Sequence, residues 1–395
     1  MHFPVPKTNF HPNNNDLVVS LTRAKLLGFD IKEGKIAFDH AVPNLNKDPK
    51  NLDVLNFSFS HDGSLLAVVV SDKSLVVYDT ASWEIKHQTI IPKRANVVKF
   101  TPDGEYVVVG DKFGDVYRFS LKSFDKEELI LGHVSVLTDL FFSSNGKLII
   151  TADRDEKIRV SKFPNGYNIE NYCLGHYEFV YQAAPLTSFD GFLVSGGGDD
   201  YLNLFNYLTA KHIQKIDLTS IAELSTYTVA QLLQHEGIAD RLFAILEGLN
   251  ALLVFKIDSQ DGVPNLSFEQ KLEFEQGFEP ISVTANKLGQ LFVSLYNKET
   301  YASQFNGFEF DSSNQTFKPF EINGAEKFLE ILTTDQITDT KLTKINDLRK
   351  SKYDDPNKGD EEDNEEEDVK EDSTTTPYRQ VKKSKHKPKA NPTSL

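Results

Sequence analysis

The chain has 395 residues, 39% of them hydrophobic, enough to bury a sizeable core, and it carries a net charge of −15. One cysteine, Cys173, excludes an intramolecular disulfide and any zinc site built on several cysteines, and it fits a reducing compartment. The longest apolar runs, such as L-L-A-V-V-V at 65–70, are far too short to cross a bilayer.

From the N-terminus, M-H-F-P-V-P-K-T-N-F lacks the apolar core of a secretory signal, so none is expected. N-N-N-D-L-V-V-S-L at 13–21 is a first, weak strand unit. Four strong units follow. Their turns H-D-G, P-D-G, S-N-G and F-D-G end at Gly63, Gly104, Gly146 and Gly191, at intervals of 41, 42 and 45 residues. Each turn precedes an apolar strand (L-L-A-V-V-V, Y-V-V-V-G, L-I-I-T-A, F-L-V-S-G), then a second turn and a third strand (S-L-V-V-Y, D-V-Y-R-F, K-I-R-V-S, Y-L-N-L-F). Two weaker copies, H-E-G-I-A-D-R-L-F-A-I-L at 235–246 and L-G-Q-L-F-V-S-L at 288–295, bring the count to seven. A unit of 40–45 residues and four strands is the signature of a propeller blade. The expected fold is therefore an all-β, seven-bladed WD40-type β-propeller over residues 1–322, with terminal strands closing the ring and inward positions that read as mainly apolar.

Gly132-His133 and Gly175-His176 recur 43 residues apart, and each is followed by an aspartate in a tight turn, Asp155 and Asp199. In WD-type blades such a pair hydrogen-bonds with a strand Ser or Thr, here Thr151 and Ser195. The same residue types make a hydrolase triad. Because the set occurs twice at the blade period and no nucleophile elbow accompanies it, it reads as structure. The third strands end in Tyr78, Phe119, Ser161 and Phe205, so one blade lacks its aromatic anchor and its edge is expected to be less filled.

That blade carries T-A-D-R-D-E-K-I-R-V at 151–160, with six charges in ten residues. Asp155 belongs to the turn, as the expected partner of His133. Beyond it, alternation puts Ile158 and Val160 on one face and Lys157 and Arg159 on the other, with Arg159 expected to point outward. Arg154, Lys157 and Arg159 form a basic spot on an acidic body, suited to a partner's carboxylate. The alternative is an arginine paired inside its own blade.

After residue 322 the pattern changes. Phe328, Leu329, Ile331 and Leu332, then Leu342, Ile345 and Leu348, predict one or two short helices over 323–350, packed on the propeller or on a partner. Residues 351–395 read as a disordered tail, acidic then basic. Residues 354–372 carry −10 and residues 373–395 carry +6, which leaves −11 for residues 1–353. No Walker sequence, dinucleotide fingerprint or H-E-x-x-H occurs. The G-G-G at 196–198 precedes Asp199 and Asp200 rather than a helix and reads as a blade turn, so no catalytic, cofactor or metal site is expected.

The run I-I-T-A-D-R-D-E-K-I-R-V-S-K-F-P, followed by I-E-N-Y-C-L-G-H-Y-E-F-V, resembles the WD-repeat non-catalytic subunit of tRNA (guanine-N7-)methyltransferase. G-D-K-F-G-D-V-Y-R-F at 110–119 is similar to that family's preceding blade. The resemblance is specific over residues 92–205 and architectural elsewhere. It implies a heterodimer in which the other subunit holds S-adenosylmethionine and most of the tRNA-modifying chemistry, with tRNA reached mainly through that partner, while this chain, itself no enzyme, stabilises it for formation of 7-methylguanosine in the variable loop. It also implies that Lys157 and Arg159, with Arg154 and Glu178 behind them, face the catalytic subunit. A nuclear site is implied too, and K-K-S-K-H-K-P-K at 382–389 agrees with it. A general WD scaffold, such as a ubiquitin-ligase substrate receptor or a chromatin adaptor, would share the fold but has no reason to carry D-R-D-E-K-I-R.

Overall fold

The computed structural model describes residues 7–21, 25–46, 52–222, 228–300, 302–329 and 348. Among them, 28 strands form seven four-stranded antiparallel sheets, each built from four strands consecutive in the chain. These blades, numbered 1 to 7, cover residues 8–41, 54–90, 95–132, 137–173, 180–217, 229–273 and 278–320. The first strands of blades 2 to 7 meet in turn, and that of blade 1 meets that of blade 7, so the sheets close a ring as the repeat predicts. The first strand is innermost and the fourth outermost.

Burial follows this arrangement. The second strand of blade 2, Leu65–Val70, is buried at every residue because other blades cover both of its faces. Its run of apolar residues therefore shows no alternation. The fourth strand, Ile85–Ile90, is half solvated and alternates. Gly63, Gly104, Gly146 and Gly191 all adopt positive φ (69°, 68°, 66° and 86°), which the turns between first and second strands require.

The channel wall carries a feature that alternation along the strands does not announce. In blades 2 to 7 the first strand carries one extra residue against its neighbour, at the same level in each. The extra residues are Leu55, Asn96, Thr138, Tyr181, Ala230 and Ile281, and all six line a channel cavity of about 140 Å³. The bulge turns two consecutive side chains inward, and the wall mixes polar residues with apolar ones such as Leu55, Ala230 and Ile281. Its side chains bond from blade to blade. Asn56 Nδ2 donates to Asn96 O (2.8 Å), Asn96 Nδ2 to Leu137 O (3.3 Å) and Thr138 Oγ1 to Val180 O (2.6 Å). Gln182 Oε1 accepts from Leu232 N (2.6 Å), while Gln231 both donates to Val283 O and accepts from Val283 N (2.8 Å each). A chain scan for apolar alternation misses such positions, because the bulge breaks the period of two.

Among the described residues, ring closure uses separate sheets, each of four strands consecutive in the chain. Thr8 N donates to Ser282 Oγ and Phe10 N to Thr284 Oγ1 (3.2 Å each), joining blade 1 to blade 7. Beyond the last strand, residues 325–329 form a helical turn. Its Phe328 is fully buried and stacks between Phe29 of blade 1 (4.8 Å) and Phe305 of blade 7 (5.0 Å). Gly34 and Gly324 permit the approach: a Cβ on Gly324 would fall 2.2 Å from Gly34 O. The predicted extension thus packs its first turn on the propeller. Ile331, Leu332, Leu342, Ile345 and the tail over 351–395 lie outside the described residues.

Candidate docking face

Strands of a blade alternate in direction, so the loops that join blades and the turns between second and third strands share one face of the ring. Loops 133–136 and 174–179 and turns 154–157 and 198–200 lie there. Two buried histidines pin them. His176 Nδ1 donates to Asp199 (2.6 Å) and its Nε2 meets Ser195 Oγ at 2.8 Å. His133 makes the matching set one blade earlier, with Nε2 2.8 Å from Thr151 Oγ1.

The carboxylate of that earlier set is Asp153, not Asp155: Asp153 lies 2.9 Å from His133 Nδ1. Asp153 still belongs to the strand Leu148–Asp153, and its other oxygen accepts from Asp155 N (2.9 Å) and Lys157 N (3.1 Å). Asp155 sits at the tip of the turn that Asp153 organises. The hydroxyls of Thr151 and Ser195 are fully buried, so neither can meet a substrate. Among the described residues no three His, Cys, Asp or Glu side chains gather as metal ligands. Burial pushes the Cys173 thiol up to about 12, which leaves it unreactive.

Arg159 corrects a second expectation. It is 8% exposed and faces into the blade rather than outward. Its Nε donates to Ser161 Oγ (2.9 Å), Nη1 to Gly132 O (3.0 Å) and Nη2 to Gly166 O. Arg159 thus lies beside Ser161, the position where the other strong blades carry an aromatic, and Ser161 is fully buried. Desolvation lowers the guanidinium pKa, opposed by Tyr172 and Asp153.

The other sequence-predicted residues stay on the face. Arg154 is half-buried and its Nε donates to Leu348 O (2.9 Å); Lys157 is half-buried and its Nζ donates to Asp155 O (3.2 Å); Glu178 is half-buried in the next loop. Leu348 is buried against Phe179.

Sequence reading missed the apolar surface around them. Val134 is 97% exposed and Tyr177 77%. Each directly follows a histidine that turns inward, so alternation sends it outward; the Gly-His-apolar triplet was the available signal. Along the outer edge of blade 4 and its flanks, Tyr167, Ile169, Tyr172 and Leu174 are exposed as well, as is Leu129 on the outer strand of blade 3. Seven of the 14 large exposed hydrophobic residues among those described fall within residues 129–177. Such a concentration on a sheet edge marks an interaction surface.

Comparisons with known proteins agree with this geometry. The family model described as "tRNA methyltransferase TRM82 WD40 domain" matches residues 30–128 and 121–318. The tRNA (guanine-N(7)-)-methyltransferase non-catalytic subunit wdr4 of Xenopus laevis is 35% identical over 225 residues, covering 55% of this chain and 56% of that one. The corresponding subunit WDR4 of Homo sapiens is 34% identical, covering 56% and 55%. The matched stretch thus spans little more than half the length of these curated relatives. Among solved structures, the C-terminal WD40 domain of Sif2 superposes with a TM-score of 0.57 at 12% identity over 73% of this chain and 92% of that one, a likeness of fold.

Proposed function

Because the chain belongs to the tRNA methyltransferase TRM82 WD40 domain family, we propose that it is the non-catalytic subunit of a two-subunit tRNA (guanine-N7)-methyltransferase. In this reading the chain holds a catalytic subunit that binds S-adenosylmethionine and methylates guanine in the tRNA variable loop, and the complex works in the nucleus. The names of the similar subunits support it, and so does the absence of any accessible nucleophile or base in the buried His–Asp–Ser/Thr sets.

The observation that carries the docking site is the apolar surface at residues 129–177. Its hydrophobic residues supply the area that stabilises a complex, and Arg154, Lys157 and Glu178 at its rim supply orientation and association rate. Arg159 acts from inside the blade, shaping that edge rather than touching the partner. Reconstitution tests the reading. The purified chain alone should transfer no methyl group to tRNA, and adding it to the methyltransferase subunit should raise that subunit's tRNA methylation. Methylation by this chain alone, or an unchanged rate on mixing, would refute the proposal.

A further inference from the structure

The channel cavity takes its lining from all seven blades and the residues that lead into them. At about 140 Å³ it has the capacity of a cavity that admits a benzene-sized molecule, about 150 Å³. Its charged lining residues are Lys7, Arg94 and Asp139, and Tyr181 is the other titratable one. Lys99, on the first strand of blade 3, acts on both Lys7 and Asp139. Three cations thus meet one carboxylate. That carboxylate is engaged elsewhere: Asp139 Oδ1 accepts from Leu140 N (2.9 Å) and Oδ2 from Ala183 N (3.2 Å). Among the described residues it forms no ion pair with Lys7 or Lys99.

Three lining groups keep unused donors. Lys7 Nζ gives one hydrogen to Asn56 Oδ1 (2.7 Å) and has two more. Gln182 Oε1 is taken by Leu232 N (2.6 Å), which fixes the amide and leaves its NH₂ without an acceptor among the described residues. Ser282 Oγ accepts from Thr8 N (3.2 Å), so its hydroxyl hydrogen remains to be given. Lys7 leads into blade 1, Gln182 is on blade 5 and Ser282 on blade 7, so these donors approach the cavity from different sides of the ring. Desolvation and Lys99 both work against a charged Lys7. An anion beside it would offset both.

Donors that converge from several sides on a small space with excess positive charge fit a compact tetrahedral oxyanion, whose oxygens point in every direction. A carboxylate presents its two oxygens on one side only. We propose that the channel cavity binds one free inorganic oxyanion of the size of sulfate or phosphate, held by Lys7, Gln182 and Ser282, with Lys99 adding positive potential. Asp139 opposes the ion and limits its affinity. The bound ion links blades 1, 5 and 7 across the centre of the ring and so stabilises its closure. The site lies on this chain alone and stands apart from the methyltransferase reading.

The test is calorimetric titration of the full chain with sulfate, at an ionic strength held constant with chloride. One saturable site should appear. Lys7→Met should weaken it about tenfold or more, as expected for the loss of a charged hydrogen bond. Asp139→Asn, which keeps an acceptor for Ala183 N, should tighten it. Affinity should rise as the pH falls from about 9 to about 6, because Lys7 gains its proton over that range, and Lys7→Met should remove the rise. Inorganic phosphate should displace sulfate, and acetate and glycerol phosphate should do so less well. No saturable heat with sulfate would overturn the proposal. So would equal affinity in wild type and both variants, since the ion would then sit elsewhere. Displacement by acetate or glycerol phosphate as effective as that by phosphate would overturn the assignment to a free tetrahedral ion. If Lys7→Met does not fold, Asp139→Asn decides: tighter binding supports the site, and unchanged or weaker binding overturns it.

Discussion

In the turn between the second and third strands of blade 4, two aspartates are in reach of one histidine, and strand geometry decides between them. Asp153 lies two residues after Thr151, on the same side of the strand, so both meet His133. In blade 5 the position two after Ser195 is Gly197, which has no side chain, and the role moves to Asp199. Matching the two blades by spacing alone therefore selects Asp155 in error. The histidines and their hydroxyl partners were legible because they keep the blade period. The carboxylate was not, because it depends on which neighbouring position can offer one. Asp153→Ala leaves a buried histidine nitrogen and two turn N–H groups without their acceptor, at a cost of about 1–3 kcal/mol for an unsatisfied buried group. Asp155→Ala should cost about 0.5 kcal/mol. Arg159→Glu should cost more than either, about 3–5 kcal/mol, since it sets an uncompensated carboxylate beside Asp153 and among carbonyls. Urea unfolding of the four proteins checks the order; a wild-type midpoint for Arg159→Glu would return that side chain to the surface.

The first strands show why an element can be predicted while its detail is not. Their existence follows from the repeat, but the bulge that aims Asn56, Gln182 and Gln231 along the channel wall has no marker in composition. Gln231 takes both the N–H and the C=O of Val283, acting as one more backbone unit between blades 6 and 7. Gln214 does the same for Leu266 between the outer strands of blades 5 and 6 (2.7 and 2.9 Å). Gln231→Leu should destabilise by about 1–3 kcal/mol and speed exchange of the Val283 amide, with amides of blades 3 and 4 unaffected. Lys7, whose Nζ donates to Asn56 Oδ1 (2.7 Å), gives the channel a pH signature. Desolvation first, then Lys99, pulls its pKa down to about 7, against the partial opposition of Asp139. Above its ordinary value near 10.5 both folded and unfolded states are neutral; below about 7 both are charged, and the full cost of burying the charge is present. Stability should therefore rise as pH moves from 7 towards 10, and Lys7→Met should flatten that rise. Equal pH slopes in the two proteins would remove Lys7 as its source.

At the scale of the whole molecule, the ring divides its surface by chemistry. The body is acidic, the channel draws in Lys7 and Lys99, and the outer edge of blade 4 is apolar. The fold and the blade that matters were legible, the first from turn glycines at a fixed period and the second from the unusual charge density at 151–160. The contact surface was not, because exposure depends on which outer strand lacks a covering neighbour, and no count along the chain reports that. Of the charged run that draws attention in the sequence, Asp153 and Arg159 are internal framework while Arg154 and Lys157 stay on the face, and the neighbouring tyrosines and leucines form the apolar surface. Hydrogen exchange of the chain, free and bound to the methyltransferase subunit, tests this most directly. Protection on binding should concentrate in residues 167–177 and in loops 133–136 and 154–157; protection confined to blades 1, 6 and 7, with blade 4 unchanged, would contradict the assignment.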